Sequence, residues 1–267
     1  MLQMVILGLV QGLTEFLPVS STAHLLFAEA LLGVPRPGLL VESVLHLGTA
    51  AAAAWLFRGD LLNLLRGVWS TFTGHRGAPL DGYRRLGWAV VVATLITGVI
   101  GVALASRFEA LFGSLRGTAL QLIVTGLLLF LVSRRGTRAA TDAGPIDGIA
   151  VGIAQAASII PGISRSGATI VSSTWLGMRP EEAARLSFLV AVPSVAGAGL
   201  FGLKDYSAGV AAGYTIAQLL VGFVVSVASG ALAITWLLQV VRRGRLALFG
   251  VYCIVAGLAV ALWVTRG

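Results

Sequence analysis

Residues 246–265 read LALFGVYCIVAGLAVALWVT, a run of 20 residues without Asp, Glu, Lys or Arg. At about 1.5 Å per residue, a helix of this length crosses the roughly 30 Å hydrocarbon core of a bilayer. The whole chain is similar in character: 57% of its 267 residues are hydrophobic, 11% are charged and the mean hydropathy is +0.92. Soluble domains hold about 25% charged residues. The sequence therefore predicts an all-α integral membrane protein and excludes a soluble enzyme or a nucleic-acid binder.

Charge-poor runs recur along the chain, and the basic residues fall between them. We predict six spans, near residues 38–57, 86–106, 117–133, 186–203, 214–241 and 246–265. The net charge is +8, and 18 of the 19 basic residues are Arg, with clusters in residues 58–85, 134–138 and 242–245. Short cytoplasmic loops carry an excess of Arg and Lys, so these clusters are first a topology signal and predict three cytoplasmic loops.

The loop assignment constrains two further segments. The basic loops at 134–138 and 242–245 are both predicted to be cytoplasmic, so an even number of crossings separates them. The predicted spans 186–203 and 214–241 supply two crossings, which leaves no net crossing for residues 145–178. We therefore predict that this segment enters the membrane and returns to the same side. The same count places residue 36 outside and makes residues 1–30 a second re-entrant hairpin. Polar backbone at membrane depth survives only where protein or a water-filled cavity surrounds it.

An internal repeat relates the two predicted hairpins. GLVQGLTE at residues 8–15 aligns with GIAVGIAQ at 148–155, and PVSST at 18–22 aligns with PGISR at 161–165 after an offset of three residues. The match is weak residue by residue, but each half would then hold one re-entrant hairpin followed by three spans.

We accordingly predict one membrane domain, residues 1–267, built from two repeats at residues 1–133 and 145–267. Each repeat would contain one re-entrant helix hairpin and about three transmembrane helices. Three crossings in the first half invert the second half in the membrane. Broken helices at corresponding positions of inverted halves indicate a binding site near the bilayer midplane.

The first hairpin carries the polar sequence QGLTEFLPVSSTAH at residues 11–24. Its polar candidates are Gln11, Glu15, Ser20, Ser21, Thr22 and His24. Gln11 and Glu15 are four residues apart and share one helix face, and Pro18 ends that helix. The hydroxyls that follow are also good helix caps. An ionisable side chain at membrane depth is costly, so we interpret Glu15 as a site residue and His24 as its neighbour.

The second hairpin carries PGISRSGAT at residues 161–169. Arg165 has no acidic neighbour within ten residues on either side. A guanidinium in this setting needs an anionic partner, which is either a ligand phosphate or the carboxylate of Glu15, in which case the pair would lock the two halves together. The further ligand-binding candidates here are Gly162, Ser164, Ser166 and Thr169.

Together the two motifs offer a carboxylate, hydroxyls, an imidazole and an Arg in a membrane cavity. Phosphoryl transfer on a lipid-borne phosphate uses all of these groups. Two other features have mainly structural interpretations. His46 lies on a predicted span and either supports the site or is a core histidine; we favour the core histidine, with Glu42, one turn earlier, as its candidate partner. Gly222, Ser226 and Gly230 form a stripe of small residues for close helix contact within or between chains.

Residues 11–24 and 161–169 resemble, nearly residue for residue, the two signature motifs of the bacterial undecaprenyl-pyrophosphate phosphatase (bacitracin-resistance) family, and LHLGT at 45–49 is similar to a family segment. The resemblance implies a multi-pass enzyme of the bacterial cytoplasmic membrane that hydrolyses undecaprenyl pyrophosphate to undecaprenyl phosphate and inorganic phosphate. This reaction recycles the carrier lipid of cell-wall synthesis. The resemblance also implies a divalent cation, Mg²⁺ or Ca²⁺, and a site that opens to the outer side.

By motif position, the resemblance assigns catalytic roles to Glu15, Ser21, His24 and Arg165, with Ser21 as the proposed nucleophile and Glu15 also as the metal ligand. Gln11 occupies the first position of the family's (Glu/Gln)-x-x-x-Glu motif, where an amide leaves one fewer carboxylate for the metal. Direct attack by water stays open beside the serine mechanism. The expected partners are the polyprenyl pyrophosphate and membrane lipids, without nucleic acid, and a homodimer is left open.

The rival hypothesis is a transporter or flippase for polyprenyl phosphate, because inverted repeats with broken helices are also transporter architecture. The phosphatidic-acid phosphatase class, in contrast, needs a His downstream of its Ser-Arg pair. No His follows Ser164 and Arg165 in this chain, which excludes that class.

Overall fold

The computed structural model describes residues 1–34, 39–104, 107 and 114–266, and these residues form a bundle of α-helices. The helices are α1 (Leu2–Phe16), α2 (Ser21–Leu32), α3 (Leu40–Leu56), α4 (Arg58–Thr73), α5 (Leu80–Ala103), α6 (Leu115–Leu129), α7 (Pro145–Ala157), α8 (Arg165–Trp175), α9 (Pro180–Gly202), α10 (Tyr206–Ala211), α11 (Ile216–Arg242) and α12 (Ala247–Arg266). The predicted all-α class is confirmed for the described part of the chain.

Four helical segments of the described chain are long and apolar enough to cross a membrane: Leu80–Ala103, Pro180–Ala211, Ile216–Arg242 and Ala247–Thr265. A fifth span is formed if α3 and α4, which meet at an angle of 81°, count as one broken crossing. The chain is therefore a multi-pass membrane protein. Five of the six predicted spans coincide with α3, α5, α9, α11 and α12. Residues 38, 105 and 106 of these spans lie outside the described residues, as do residue 36 and most of the loop at 107–116.

The predicted span at 117–133 was too long. Its helix, α6, has 15 residues and ends at Leu129. The apolar sequence continues, but the backbone tightens: the N–H of Phe130 donates to the carbonyl of Leu127, at 3.2 Å. Hydropathy alone does not register this change of hydrogen-bonding pattern, because residues 130–132 are as apolar as the helix itself.

The predicted cytoplasmic loop at 58–85 was also wrong in its structure, because it contains α4 and the first turn of α5. The sequence of α4 mixes Arg58 and Arg66 with large apolar residues. Trp69 and Phe72 are 67% and 71% exposed. Amphipathic helices of this composition lie at membrane interfaces. Arg58 and Arg66 are therefore part of a helix and not of a loop.

Each hairpin is closed at its open end by a side chain. In the first, Gln3 Nε2 near the start of α1 donates to the carbonyl of Leu32 at the end of α2, at 3.3 Å. In the second, Arg138 Nη1 donates both to Asp147 Oδ1 in the first turn of α7, at 2.9 Å, and to the carbonyl of Leu176 just after α8, at 2.7 Å. The hydrogen bonds to Asp147 raise the pKa of Arg138 above its ordinary value.

Helical glycines let each hairpin pack closely on a long helix of the other half. A Cβ on Gly12 of α1 would lie 2.7 Å from the backbone nitrogen of Gly230 in α11, and a Cβ on Gly152 of α7 would lie 2.9 Å from the Cα of Ala93 in α5. The stripe of Gly222, Ser226 and Gly230 faces α1 and α3 of the same chain. It is used within the chain and gives no support for a homodimer.

Replacing Gly152 by alanine is expected to lower stability by about 1–3 kcal/mol, because the added methyl meets backbone atoms that cannot rotate away. Gly59→Ala in α4 is the matched control, since no atom of the described residues lies within 4 Å of the position of its Cβ. Thermal unfolding in detergent measures both variants. An unfolding temperature for Gly152→Ala equal to that of Gly59→Ala would contradict the close packing of α7 on α5.

Candidate active site

The break in the first hairpin follows Glu15 closely and supplies the N-cap of α2. The helix α1 ends at Phe16, ahead of Pro18, and Ser20 is the N-cap of α2, with its side chain accepting from the N–H of Ala23 at 3.4 Å. The capping interpretation is thus confirmed for Ser20. Its φ of +66° is the only positive φ of a non-glycine residue in the described chain. Such strained backbone persists where the surrounding structure enforces it, which is common at functional sites.

The break in the second hairpin is fastened to α6. Gly162 has a φ of +100°, which favours glycine. The hydroxyl of Thr125 donates to the Gly162 carbonyl at 2.8 Å and accepts from the N–H of Ser164 at 2.9 Å. Ser164 then caps α8, accepting from the N–H of Gly167 at 3.2 Å. Arg165 is consequently the first residue of α8 and has a fixed direction.

Glu15 is the centre of the site and joins the two hairpins. Its Oε2 accepts from the hydroxyl of Ser21 at 2.5 Å and from Gln11 Nε2 at 2.8 Å. Its Oε1 accepts from Arg165 Nη2, so the ion pair considered in the sequence analysis is present. The other terminal nitrogen of Arg165, Nη1, is buried and has no hydrogen-bond partner among the described residues. Arg165 therefore ties the halves together and still holds an unused donor.

A cavity of about 630 Å³ adjoins this cluster. Six of the predicted site residues line it: Glu15, Ser20, Ser21, Thr22, Ser164 and Arg165. Others support the wall from behind. Ser166 Oγ donates to the carbonyl of Leu17 at 3.1 Å, and the hydroxyls of Thr169 and Ser187 lie 2.6 Å apart. These contacts hold α8 against the first hairpin and against α9.

His24 and His46 lie in the opposite places from those that the sequence suggested: His46 lines the cavity, and His24 packs against Tyr252. The Nδ1 of His24 lies 2.8 Å from the Ser20 carbonyl, its Nε2 lies 2.7 Å from Tyr252 Oη, and its ring stacks on Tyr252 of α12. Within the described chain, the imidazole that lines the cavity is that of His46. Its Nδ1 donates to the main-chain carbonyl of Glu42 at 2.6 Å, and its Nε2 lies 3.7 Å from Glu15 Oε2.

The interpretation of His46 as an ordinary core residue was therefore wrong. A signal was available in the sequence: Glu42 and His46 are four residues apart on a membrane helix, and polar residues in spans face the interior of the bundle. Spacing alone did not indicate which interior cavity this face would meet.

The two motifs and their geometry agree with comparisons against known proteins. The family described as bacitracin resistance protein BacA matches residues 4–259. The chain belongs to the BacA family. It is 39% identical over 269 residues to an undecaprenyl-diphosphatase of Methanobrevibacter smithii, with 97% of this chain and 96% of that protein covered. It is 42% identical over 279 residues to the undecaprenyl-diphosphatase of Thermomicrobium roseum, covering 98% of each.

This BacA family member has few groups that could hold a metal. The described residues contain no cluster of three or more His, Cys, Asp or Glu side chains with suitable placement. Among the described residues, the carboxylates that line the cavity are those of Glu15 and Glu42, and both oxygens of Glu15 already accept hydrogen bonds. Mg²⁺ in phosphate-transfer sites is commonly held by one or two carboxylates together with substrate phosphates. The donors thus fit a cation that arrives with a pyrophosphate, not one held by protein ligands alone.

Proposed function

We propose that this chain is an undecaprenyl-diphosphatase, which hydrolyses undecaprenyl pyrophosphate to undecaprenyl phosphate and inorganic phosphate. Its relatives carry this name, and the chain matches them over nearly its whole length. The observation that carries the proposal is the meeting of Ser21, Glu15 and Arg165, from two separate hairpins, on one cavity of a membrane protein. This hydrolysis needs a nucleophile, a base and a positively charged side chain that binds phosphate.

Ser21 is the proposed nucleophile. Its hydroxyl already donates to Glu15 Oε2 at 2.5 Å, so the carboxylate is placed to accept the proton as Oγ attacks the terminal phosphorus. The attack forms an Oγ–P bond and breaks the anhydride bond, and undecaprenyl phosphate leaves. Water then hydrolyses the phosphoserine to inorganic phosphate and restores the Ser21 hydroxyl. Direct attack by a water that Glu15 activates is the alternative within the same site.

Arg165 is proposed to hold the transferring phosphoryl group. Its free Nη1 can donate to a non-bridging oxygen while Nη2 stays on Glu15. Arg165 also begins α8, and Ser21 begins α2, so the positive ends of two helices contribute to the same region. Donors fixed in advance in a site of low dielectric stabilise the charge that develops on the phosphoryl oxygens.

The proton-carrier role that the resemblance implies for His24 stays a prediction. In the structure its Nε2 is bonded to Tyr252 Oη, so transfer to the cavity would require the ring to leave Tyr252.

We propose that the enzyme uses a divalent cation, Mg²⁺ or Ca²⁺, which Glu15 would help to hold and which would neutralise charge on the substrate phosphates. We expect EDTA to abolish phosphate release from undecaprenyl pyrophosphate by the purified protein, and added Mg²⁺ or Ca²⁺ to restore it. Because the described residues hold no group of three or more ligands that could bind the ion without the substrate, EDTA should leave the thermal unfolding temperature unchanged. Full activity in EDTA would contradict the cation proposal.

We also propose the inverted repeat, with residues 1–133 and 145–267 as its halves in one membrane domain. The packing supports it, because Gly8 and Gly12 contact α11 of the second half, and the aligned Gly148 and Gly152 contact α5 of the first. The re-entrant form of the hairpins has separate support. Each hairpin consists of two helices of 11 to 15 residues joined at a break, and Gln3 and Arg138 tie the start of each hairpin to its end.

The proposed location is the cytoplasmic membrane, with the site opening to its outer side. A polyprenyl-phosphate transporter is the second candidate, because inverted halves around a central cavity also suit alternating access. Inorganic phosphate release from undecaprenyl pyrophosphate by purified wild-type protein separates the two functions. A phosphatase liberates phosphate with every turnover, whereas a protein that only moves the lipid liberates none. Absence of release from well-folded protein would overturn the phosphatase proposal in favour of the transporter.

A further inference from the structure

A second cavity, of about 250 Å³, lies beside the C-terminal end of α6. The turn residues that follow α6 form one side of it, and the turn between α11 and α12 forms the other. Two basic clusters flank this cavity, at residues 134–138 and 242–245, so it belongs to the end of the bundle that the sequence predicts to be cytoplasmic. We call it the basic pocket and define it by Phe130, Val132, Arg134, Val241, Gly244 and Leu246.

The wall of the basic pocket is mostly apolar and continues into apolar surface. Phe130, which lines the pocket, is 50% exposed. Leu131 and Leu248, which are chain neighbours of lining residues, are 48% and 62% exposed. In a multi-pass membrane protein, exposed apolar side chains at the end of the bundle meet the lipid of the bilayer. The pocket is therefore accessible to a lipid molecule from the side.

Arg134 supplies the charge within the pocket lining. Its Nη2 donates to the carbonyl of Gly244, at 2.6 Å, in the turn between α11 and α12. The guanidinium carries five N–H donors, and its other nitrogens, Nε and Nη1, make no hydrogen bond with the described residues. One main-chain contact thus fixes the group and leaves most of its donors unused. A guanidinium with such donors matches the geometry of a phosphate.

The basic residues around the pocket are not neutralised by the protein. None of them forms a salt bridge with an Asp or Glu of the described ranges, and all are exposed; they are Arg134, Arg135, Arg242, Arg243 and Arg245. Two carboxylates, Glu181 and Glu182, follow the lining residue Pro180, and Glu182 already pairs with Arg179 and Arg185. The rim of the pocket consequently keeps an excess of positive charge.

We infer that the basic pocket binds an anionic phospholipid, with the lipid phosphate on Arg134 and part of an acyl chain against Phe130 and Val132. The volume lies below the roughly 300 Å³ at which pockets enclose a whole small ligand, so the rest of the lipid stays in the bilayer. Basic pockets between transmembrane helices on the cytoplasmic side suit anionic head groups. A free anion would not use the apolar wall, and a zwitterionic lipid would bring its own cation against the arginines. The inference is independent of the proposed function.

Thermal unfolding of lipid-depleted wild-type protein in detergent tests the inference. The added probes are phosphatidylglycerol, phosphatidylcholine with the same acyl chains, and inorganic phosphate. A ligand that binds the native state raises the unfolding temperature, and we expect a rise of about 4 °C with phosphatidylglycerol and less than about 1 °C with either other probe. Equal shifts with both lipids would overturn the inference, as would equal shifts with phosphatidylglycerol and phosphate, or no shift at all.

Arg134→Gln locates the lipid, with Arg66→Gln as the matched control. Arg66 is also exposed, lies in another basic segment on α4, and has no salt bridge within the described residues. Arg134→Gln is expected to remove at least half of the shift caused by phosphatidylglycerol, and the control should keep the wild-type shift. Equal losses in the two variants would overturn the inference, because the lipid would then respond only to the general surface charge.

A second variant keeps the inference testable if Arg134→Gln does not fold. Ala247 at the start of α12 lines the pocket, so Ala247→Phe fills the space while every arginine is kept. We expect this variant to lose at least half of the shift caused by phosphatidylglycerol. A shift equal to that of the wild type would contradict the placement of an acyl chain inside the pocket.

Discussion

Ser21→Ala is expected to lower kcat for phosphate release by at least about 10³-fold, because it removes the attacking oxygen and leaves Glu15 with no proton to accept from it. KM should change little, since Arg165 is intact. The effect is large because the hydroxyl is replaced by a methyl that cannot form the bond to phosphorus. Steady-state release from undecaprenyl pyrophosphate by purified variants measures it.

Ser158→Ala is the matched control for this variant. Ser158 lines the same cavity, but its hydroxyl donates to the carbonyl of Gln155 at 2.6 Å and has no contact with Glu15. Its kcat should stay within about threefold of wild type. If Ser21→Ala retains more than a tenth of the wild-type kcat, the serine is not the nucleophile, and attack by water at Glu15 replaces it.

Arg165→Met is expected to reduce kcat/KM about 10³-fold, because it removes the guanidinium that is proposed to donate to the phosphoryl oxygens. It should also destabilise the fold by about 3 kcal/mol, because the Glu15 carboxylate, whose side chain is 4% exposed, loses its charge partner. Phosphate release and thermal unfolding in detergent measure the two effects separately.

The double variant Glu15→Gln/Arg165→Met separates a structural ion pair from a catalytic one. Replacing both charges removes the buried unpaired group, so the unfolding temperature should return close to that of wild type. Activity should remain as low as in Arg165→Met. Recovery of activity together with stability would mean that the pair only fastens the two hairpins to each other.

The sequence predicted the membrane class and the position of five spans because apolar length is a direct physical requirement of the bilayer. It did not predict that α3 turns through 81° into α4, since the basic residues of 58–85 favour a loop. An amphipathic interfacial helix and a basic loop have similar charge. They differ in the spacing of large apolar residues: Trp69 and Phe72 are three positions apart, which places them on one face of a helix.

The sequence also indicated which motifs would meet, because an unpaired Arg165 and a buried Glu15 each need a partner. It did not distinguish His24 from His46, since the choice depends on how α2 is rotated and which helix packs against it. Contacts with Tyr252, 228 residues further along the chain, decide the direction of His24.

The most direct test of the central claim, that the two hairpins build a single phosphatase site, is a double-mutant cycle in kcat/KM. Glu15→Gln, Arg165→Met and the double variant are compared with wild type for phosphate release from undecaprenyl pyrophosphate. Residues that act as a unit are strongly non-additive. The double variant is expected to be within about threefold of the slower single variant. Losses that multiply in full would contradict it, because Glu15 and Arg165 would then act independently.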